Sequence, residues 1–201
     1  MDIRVYLADE SDYFREGLRV LLEAHGDLRI VGGSADVAQA VTDASGLRPD
    51  VLIMDIAMPR CGGIEAIALL RASAPSTRVI ILSTHATTEH VYDALQAGAS
   101  GYLLKGSAAA ELSEAVHAVH AGRRYVSHKL AEMLADEYLR RYPGVCPGVP
   151  PPGDDRAGLP MHPVADDSVE DCRRRLIRAI AEADSASVAK LSILHGLVLA
   201  D

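Results

Sequence analysis

Hydrophobic positions along this chain fall into short apolar runs alternating with longer stretches of helical period. Ile3-Arg4-Val5-Tyr6-Leu7-Ala8 predicts a strand, and Phe14, Leu18, Leu21 and Leu22 predict a helix over about 12–25. Leu28 to Val31 predicts a second strand, closed by Gly32-Gly33, before a helix carrying Val37, Ala40, Val41 and Ala44. Val51-Leu52-Ile53-Met54 is a strand apolar on both faces, ending on Asp55 and stopped by Pro59. Gly62-Gly63 introduces a helix with Ile64, Ile67, Ala68 and Leu70. Val79 to Leu82 is a fourth strand, followed by a helix with Val91, Ala94 and Leu95 that Gly98 stops. Gly101 to Leu104 is a fifth, followed by a helix over about 108–121 with Leu112, Val116 and Val119. Five strand–helix alternations imply an α/β fold, with a parallel five-stranded sheet and helices on both faces.

Beyond Ser127 the pattern changes. Leu130, Met133, Leu134, Tyr138 and Arg141 predict an amphipathic linker helix over 128–142. Residues 143–167 hold seven of the ten prolines and predict an extended, partly disordered linker. A small helical segment is expected over 168–201. Ser168 opens it in a capping-box pattern, Cys172, Leu176, Ile180 and Ala183 recur behind it, and a last helix carries Val188, Leu191, Leu194 and Val198.

Composition narrows the class. The 201 residues are 49% hydrophobic, enough for an ordinary core, and no apolar run reaches the length of a membrane span. The opening Met1-Asp2-Ile3-Arg4-Val5 lacks a secretory pattern, so the expected location is cytoplasmic. Three cysteines (Cys61, Cys146 and Cys172) without metal-ligand spacing predict a reducing compartment and no disulfide framework. A net charge of −8 gives no support for broad nucleic-acid affinity.

The chemistry lies at the strand ends. In a parallel sheet all carboxyl ends point one way, so Asp9, Glu10, Asp55, Ser83 and Lys105 collect at one edge. Three carboxylates there call for a cation, and hard oxygen ligands suit Mg²⁺. A lysine and a hydroxyl at the same edge suit phosphoryl oxygens. The set is a site for phosphoryl transfer onto an aspartate. A dehalogenase-type phosphatase needs a second Asp where Ala57 stands, and a dinucleotide fold needs a glycine-rich turn where Asp9-Glu10-Ser11-Asp12 stands. For Ser83 the competing reading is a hydroxyl that satisfies a strand-end backbone group. Tyr102 reads as a half-buried aromatic. Cys61 reads as an inert loop cysteine and His85 and His90 as exposed helix-start residues. His117 and His120, at i, i+3 spacing, have no partner in view.

Residues 3–127 resemble the receiver domain of two-component response regulators. The likeness rests on Asp9-Glu10, on Asp55-Ile56-Ala57-Met58-Pro59 followed by Gly62-Gly63, on Ser83, and on Ala97-Gly98-Ala99-Ser100-Gly101-Tyr102-Leu103-Leu104-Lys105. Gly122-Arg123-Arg124-Tyr125-Val126-Ser127 is similar to the NarL/FixJ (LuxR-type) branch. The resemblance implies a flavodoxin-like (βα)5 doubly wound fold over residues 1–127. It implies Asp55 as acceptor of a phosphoryl group from a sensor histidine kinase, a phosphoacceptor rather than an enzyme, with at most self-dephosphorylation. It implies Mg²⁺ held by Asp9, Glu10, Asp55 and the carbonyl of Ala57, Lys105 and Ser83 on the phosphoryl oxygens, Tyr102 swinging inward as Ser83 moves, and a homodimer on activation. Glu10 departs from the family's usual Asp, and Gly106 stands where many receivers have a cis-proline.

The output end departs further. That branch usually adds a basic DNA-reading helix opened by Leu-Thr-x-Arg-Glu, which is absent, and residues 192–201 contain no Lys or Arg. Arg173, Arg174, Arg175 and Arg178 are the candidate DNA contacts, against a plain solvated face paired with Glu170 and Asp171. Two outputs stay open at this point: transcription control with an atypical DNA-binding end, or action through protein contacts alone.

Overall fold

The computed structural model describes residues 2–58, 63–141, 145–147, 161–163 and 169–181. Pro59, Cys61, Gly62, the Ser168 cap and the final predicted helix with Val188, Leu191, Leu194 and Val198 lie outside the described residues.

Strands β1 (Ile3–Ala8), β2 (Leu28–Ser34), β3 (Val51–Asp55), β4 (Arg78–Ser83), β5 (Gly101–Leu104) and β6 (Tyr125–Val126) form one parallel sheet in the order β2-β1-β3-β4-β5-β6. The helices are α1 (Asp12–Glu23), α2 (Val37–Leu47), α3 (Gly63–Ser73), α4 (Thr88–Ala97), α5 (Ala108–His120), α6 (His128–Arg141) and α7 (Val169–Ala181). Strands β7 (Val145–Pro147) and β8 (Met161–Pro163) pair antiparallel as a separate ribbon. The proline-rich stretch predicts only an unpaired linker. In a two-stranded ribbon both strands are edges, so Pro147 and Pro163 remove no bond the ribbon needs.

The period-2 alternation of the strands sorts the core into two layers. Val5, Leu7, Val51, Ile53, Ile80, Leu82 and Leu103 face one side, under α1 and α5. Tyr6, Ala8, Leu52, Met54, Val79, Ile81 and Tyr102 face the other, under α2, α3 and α4. Nearly every one of these side chains is fully buried. At about 1.5–3 kcal/mol for each large apolar side chain, this burial is the main force holding the sheet between its helices. Side-chain caps start three of the helices: Ser11 accepts from the Phe14 N–H, Asp36 from Gln39 and Thr87 from His90. Gly98, at φ 109°, ends α4 in a left-handed cap.

β2 runs through Gly32 and Gly33 rather than stopping at them. The reason is Tyr6, whose ring fills the place where a Gly32 side chain would stand. A Cβ on Gly32 would lie 2.8 Å from Tyr6 Cε2. The Tyr6 hydroxyl donates to Asp43 at 2.6 Å, which holds the ring there. Burial, and then Asp43, raise the Tyr6 pKa.

α6 and α7 add to the layer that holds α4. Leu130, Ala131, Leu134, Ala135 and Tyr138 of α6, with Cys172, Leu176, Ile177 and Ile180 of α7, join the cluster containing Val91, Leu95 and Tyr102. Thr88 at the start of α4 donates to Glu137 of α6 at 2.5 Å. Arg173 of α7 donates to Asp136 of α6 at 2.6 Å. Cys172 is disulfide-bonded, against the expectation of no disulfide. The tertiary packing of α7 supplies a proximity that cysteine spacing did not encode.

His117 also has a partner that sequence did not reveal. Its Nε2 lies 2.8 Å from Asp27 Oδ2, joining α5 to the turn before β2. The hydrogen bond that His117 donates to the Asp27 carboxylate raises the His117 pKa above its ordinary 6.5. The same bond lowers the Asp27 pKa below 3.8. The histidine's contribution to stability is complete below pH 6.5 and is lost as pH rises through its higher folded-state value. The aspartate's contribution is complete above pH 3.8 and is lost as pH falls through its lower folded-state value.

Two outcomes follow. His117→Gln should be less stable than the wild-type chain between pH 3.8 and 6.5, with the gap closing at alkaline pH in a urea-denaturation series. A gap independent of pH would show that the pair contributes nothing. Gly32→Ala should cost about 1–3 kcal/mol by overpacking against the Tyr6 ring, read as a lower urea midpoint, and an unchanged midpoint would show that the edge strand yields freely.

Candidate functional site

The strand order reverses between β1 and β3, which is where open α/β sheets leave a crevice at their carboxyl edge. β1 delivers Asp9 to that crevice and β3 delivers Asp55, 2% and 5% exposed. Two buried carboxylates at one edge repel unless a cation lies between them. Here it is the Lys105 ammonium, arriving from the end of β5. Its Nζ donates to Asp9 Oδ2 at 2.6 Å and to Asp55 Oδ2 at 2.8 Å. Burial pulls the lysine pKa down, and the hydrogen bonds and charges of Asp55 and Asp9 more than offset it, leaving it raised.

The second oxygen of each carboxylate is held by backbone. Asp9 Oδ1 accepts from the Ser11 N–H, and Asp55 Oδ1 accepts from the Ala57 N–H, both at 2.9 Å. The turn after β3 is confined on its other side by Gly63, where a Cβ would lie 2.7 Å from the Ile56 carbonyl oxygen.

Two residues in this network escaped the sequence reading. The Phe14 ring lies under the ammonium, with Lys105 Nζ 4.5 Å from its centroid, a cation–π contact. Arg15 donates to the Asp9 carbonyl and to the Asp12 carboxylate. Helical spacing marks Phe14 only as a core residue, and nothing in the linear pattern pairs it with Lys105, ninety-one positions on. The short interval from Asp9 and Asp12 to Arg15 on one helical turn is the signal that could have found the arginine.

The structure does not bring Glu10 to this cluster. Asp9, directly after β1, is buried, whereas Glu10 stands in the bend that follows and is exposed. Among the described residues no three His, Cys, Asp or Glu side chains are gathered as metal ligands. Ser83 is buried at the end of β4, but its hydroxyl donates to the His85 carbonyl and accepts from the His85 N–H at 3.2 Å. In this state it satisfies the strand-end backbone. Tyr102 is not half-buried but fully buried, because β6 and α6 close over β5. Among the described residues its hydroxyl makes no hydrogen bond of normal geometry, and burial raises its pKa against the opposing influence of the Ser83 hydroxyl. His85 and His90 are exposed at the start of α4.

A residue model for the response regulator receiver domain matches residues 5–117, more than half of the chain. The chain belongs to the response regulator receiver family. Relatives include the transcriptional regulatory protein YxjL of Bacillus subtilis, 38% identical over 138 residues, covering 69% of this chain and 63% of that protein. The DNA-binding transcriptional activator DevR/DosR of Mycobacterium tuberculosis is 37% identical over 132 residues, 66% of this chain and 61% of its own length. The chain thus spans less than two thirds of these curated relatives. Among solved structures, a LuxR-family two-component response regulator from Aurantimonas superposes with a TM-score of 0.66 at 35% identity, covering 69% of this chain and 99% of that one. Receiver domains generally bind Mg²⁺ at the phosphorylation site.

The arginines proposed for DNA lie on α7, away from the strand-end cluster. Arg173 pairs with Asp136, and its charge lies 3.9 Å from Glu132. Arg174 pairs with Asp171 on its own helix. Arg175 and Arg178 also have partners.

Lys105→Met leaves Asp9 and Asp55 buried without their cation. It should destabilise the chain by about 3 kcal/mol at neutral pH, measured by urea denaturation. A loss below about 0.5 kcal/mol, the range of ordinary surface substitutions, would show that the carboxylates do not depend on the lysine.

Proposed function

We propose that this chain is a phosphorylation-controlled response regulator in which Asp55 accepts a phosphoryl group from a sensor histidine kinase. The observation that carries the reading is the Lys105 ammonium spanning Asp9 and Asp55 at the strand-order switch point. Asp55 Oδ2 is an oxygen nucleophile already paired with a cation. Its attack on phosphorus forms the acyl phosphate as the bond from phosphorus to the donor histidine nitrogen breaks. The added negative charge falls beside Lys105, which can leave the carboxylate oxygen for a phosphoryl oxygen. Ser83 has the same choice, since its hydroxyl can exchange the His85 carbonyl for a phosphoryl oxygen.

The hard carboxylate oxygens of Asp9 and Asp55, with the Ala57 carbonyl, are the groups that would hold Mg²⁺. A cation-seeking pair of acids is already apparent in the way the lysine bridges them. Bound there, Mg²⁺ would neutralise charge on the phosphoryl oxygens. Lys105 holds Asp9 Oδ2 and Asp55 Oδ2, and the Ala57 N–H fixes the other oxygen of Asp55.

We further infer a non-enzymatic role, with self-dephosphorylation as the only turnover, and transcription control as the output. The relatives' printed functions support that output. DNA contact through Arg173 or Arg174 requires breaking their pairs with Asp136 and Asp171, so these positions support it less than the family does. No helix among the described residues is long and apolar enough to cross a membrane, which accords with a cytoplasmic place beside a kinase. A homodimer on activation completes the proposal, with residues 1–127 as receiver, 128–142 as linker helix, 143–167 as linker and 168–201 as output segment.

Incubation with acetyl phosphate and Mg²⁺ should add one phosphoryl mass to the wild-type chain and none to Asp55→Asn, by intact mass spectrometry. Chelation of the metal should abolish the gain. No gain in wild type, or an equal gain in the variant, would sink the assignment.

A further inference from the structure

Cys172 lies one turn into α7, 1% exposed, on the apolar face with Leu176, Ile177 and Ile180. It is disulfide-bonded. The other cysteines of the chain are Cys61 and Cys146. The packing of α7 singles out Cys146. Cys146 is the middle residue of β7, and α7 packs on β7 as well as on α6 and β6. Cys61 stands in the sequence six positions after Asp55 and lies outside the described residues.

We propose that Cys146 and Cys172 form a reversible disulfide, a modification site where a peroxide-class oxidant closes the bond and a thiol reductant opens it. One thiolate attacks a peroxide oxygen, giving a sulfenic acid and releasing the other oxygen as water. The second sulfur then displaces the sulfenic oxygen as a second water. Two thiols and one hydrogen peroxide thus become one disulfide and two waters, with two electrons passing from sulfur to oxygen. Reduction by a dithiol reverses it through a mixed disulfide. A reducing compartment makes such a bond transient and signalling rather than permanent.

The placement gives the bond a mechanical role. It closes the chain from 146 to 172, including the β7–β8 ribbon, onto the first turn of α7. Apart from its apolar face, α7 is held to α6 by Arg173 pairs at partly exposed carboxylates, which contribute little. Closing the disulfide therefore ties α7 to β7, and opening it leaves the helix on its packing with α6 and β6 alone. This site is independent of phosphoryl chemistry at Asp55.

The test uses the full chain, treated with hydrogen peroxide or with dithiothreitol, denatured, blocked with N-ethylmaleimide and mapped by peptide mass. The oxidised chain should take one maleimide, at Cys61, and yield a Cys146–Cys172 linked peptide, and the reduced chain should take three. Cys61→Ser should keep the link and Cys146→Ser should lose it. Hydrogen exchange of the α7 amides should be about tenfold faster or more in the reduced chain, as expected for loss of a local tether. Three maleimides after peroxide, a Cys61–Cys172 peptide, a link between two chains, or equal α7 exchange in both states would each overturn the proposal. The wild-type peptide map keeps the test decisive if a serine variant fails to fold.

Discussion

The strand-end site depends on one ammonium group, that of Lys105. Asp9 and Asp55 sit at the ends of neighbouring buried strands, and the sheet register leaves them no way apart. Their mutual repulsion in a poorly solvated crevice would oppose the pairing of β1 with β3. Lys105 removes that opposition, and it reaches both acids only because β5 and its following turn end at the same edge. The Phe14 ring beneath it and the two backbone N–H groups on the far oxygens limit the ways the three charges can rearrange. Any added negative charge must enter a network whose positive member is already shared. That condition couples chemistry at Asp55 to the end of β5, and so to its neighbours.

Those neighbours include an unusually covered face. Tyr102 lies one strand position from Leu103 and opposite Ile81, with α4 on one side and β6 and α6 on the other. Its buried hydroxyl makes no hydrogen bond of normal geometry among the described residues, and the Ser83 side chain acts on it. Ser83 stands near it but is engaged with the His85 backbone. A rearrangement of Ser83 therefore acts on a cluster with an unmet polar group, where two arrangements can lie close in free energy. α6 and α7 belong to that cluster, so the segment after the receiver is packed against the part of the sheet most sensitive to the site.

Much of the fold was legible because buried parallel strands announce themselves: Val51 to Met54 and Val79 to Leu82 are apolar throughout and end on polar residues. The positions of Asp9, Asp55, Ser83 and Lys105 at one edge followed from that pattern alone. What stayed hidden was tertiary. Two residues of β6 are too few to show a period. Continuation of β2 through Gly32 depends on where the Tyr6 ring lies. Phe14 looks like any core residue until Lys105 is folded over it. Glu10 reads as half of an acidic pair, yet the bend after β1 leaves it exposed. The partners of His117 and Arg173 are on other elements, so no local spacing signals them. The disulfide at Cys172 needs the approach of α7 to the remainder of the chain, which no cysteine count contains.

The junction between β6 and α6 has a geometric consequence. β6 is hydrogen-bonded along β5, and only Ser127 separates it from α6, with its N–H on the Tyr102 carbonyl at 3.0 Å. With so little slack, the sheet edge and the helix turn together. α6 has 14 residues, so at a rise of 1.5 Å per residue it extends about 21 Å from its root. A rotation of about 5° at the sheet edge would move its far end by about 2 Å, by the same geometry. Because α6 is also packed on α4 and α7, such a rotation would carry those helices with it, so the sheet edge and the whole helical layer over β5 would turn as one unit.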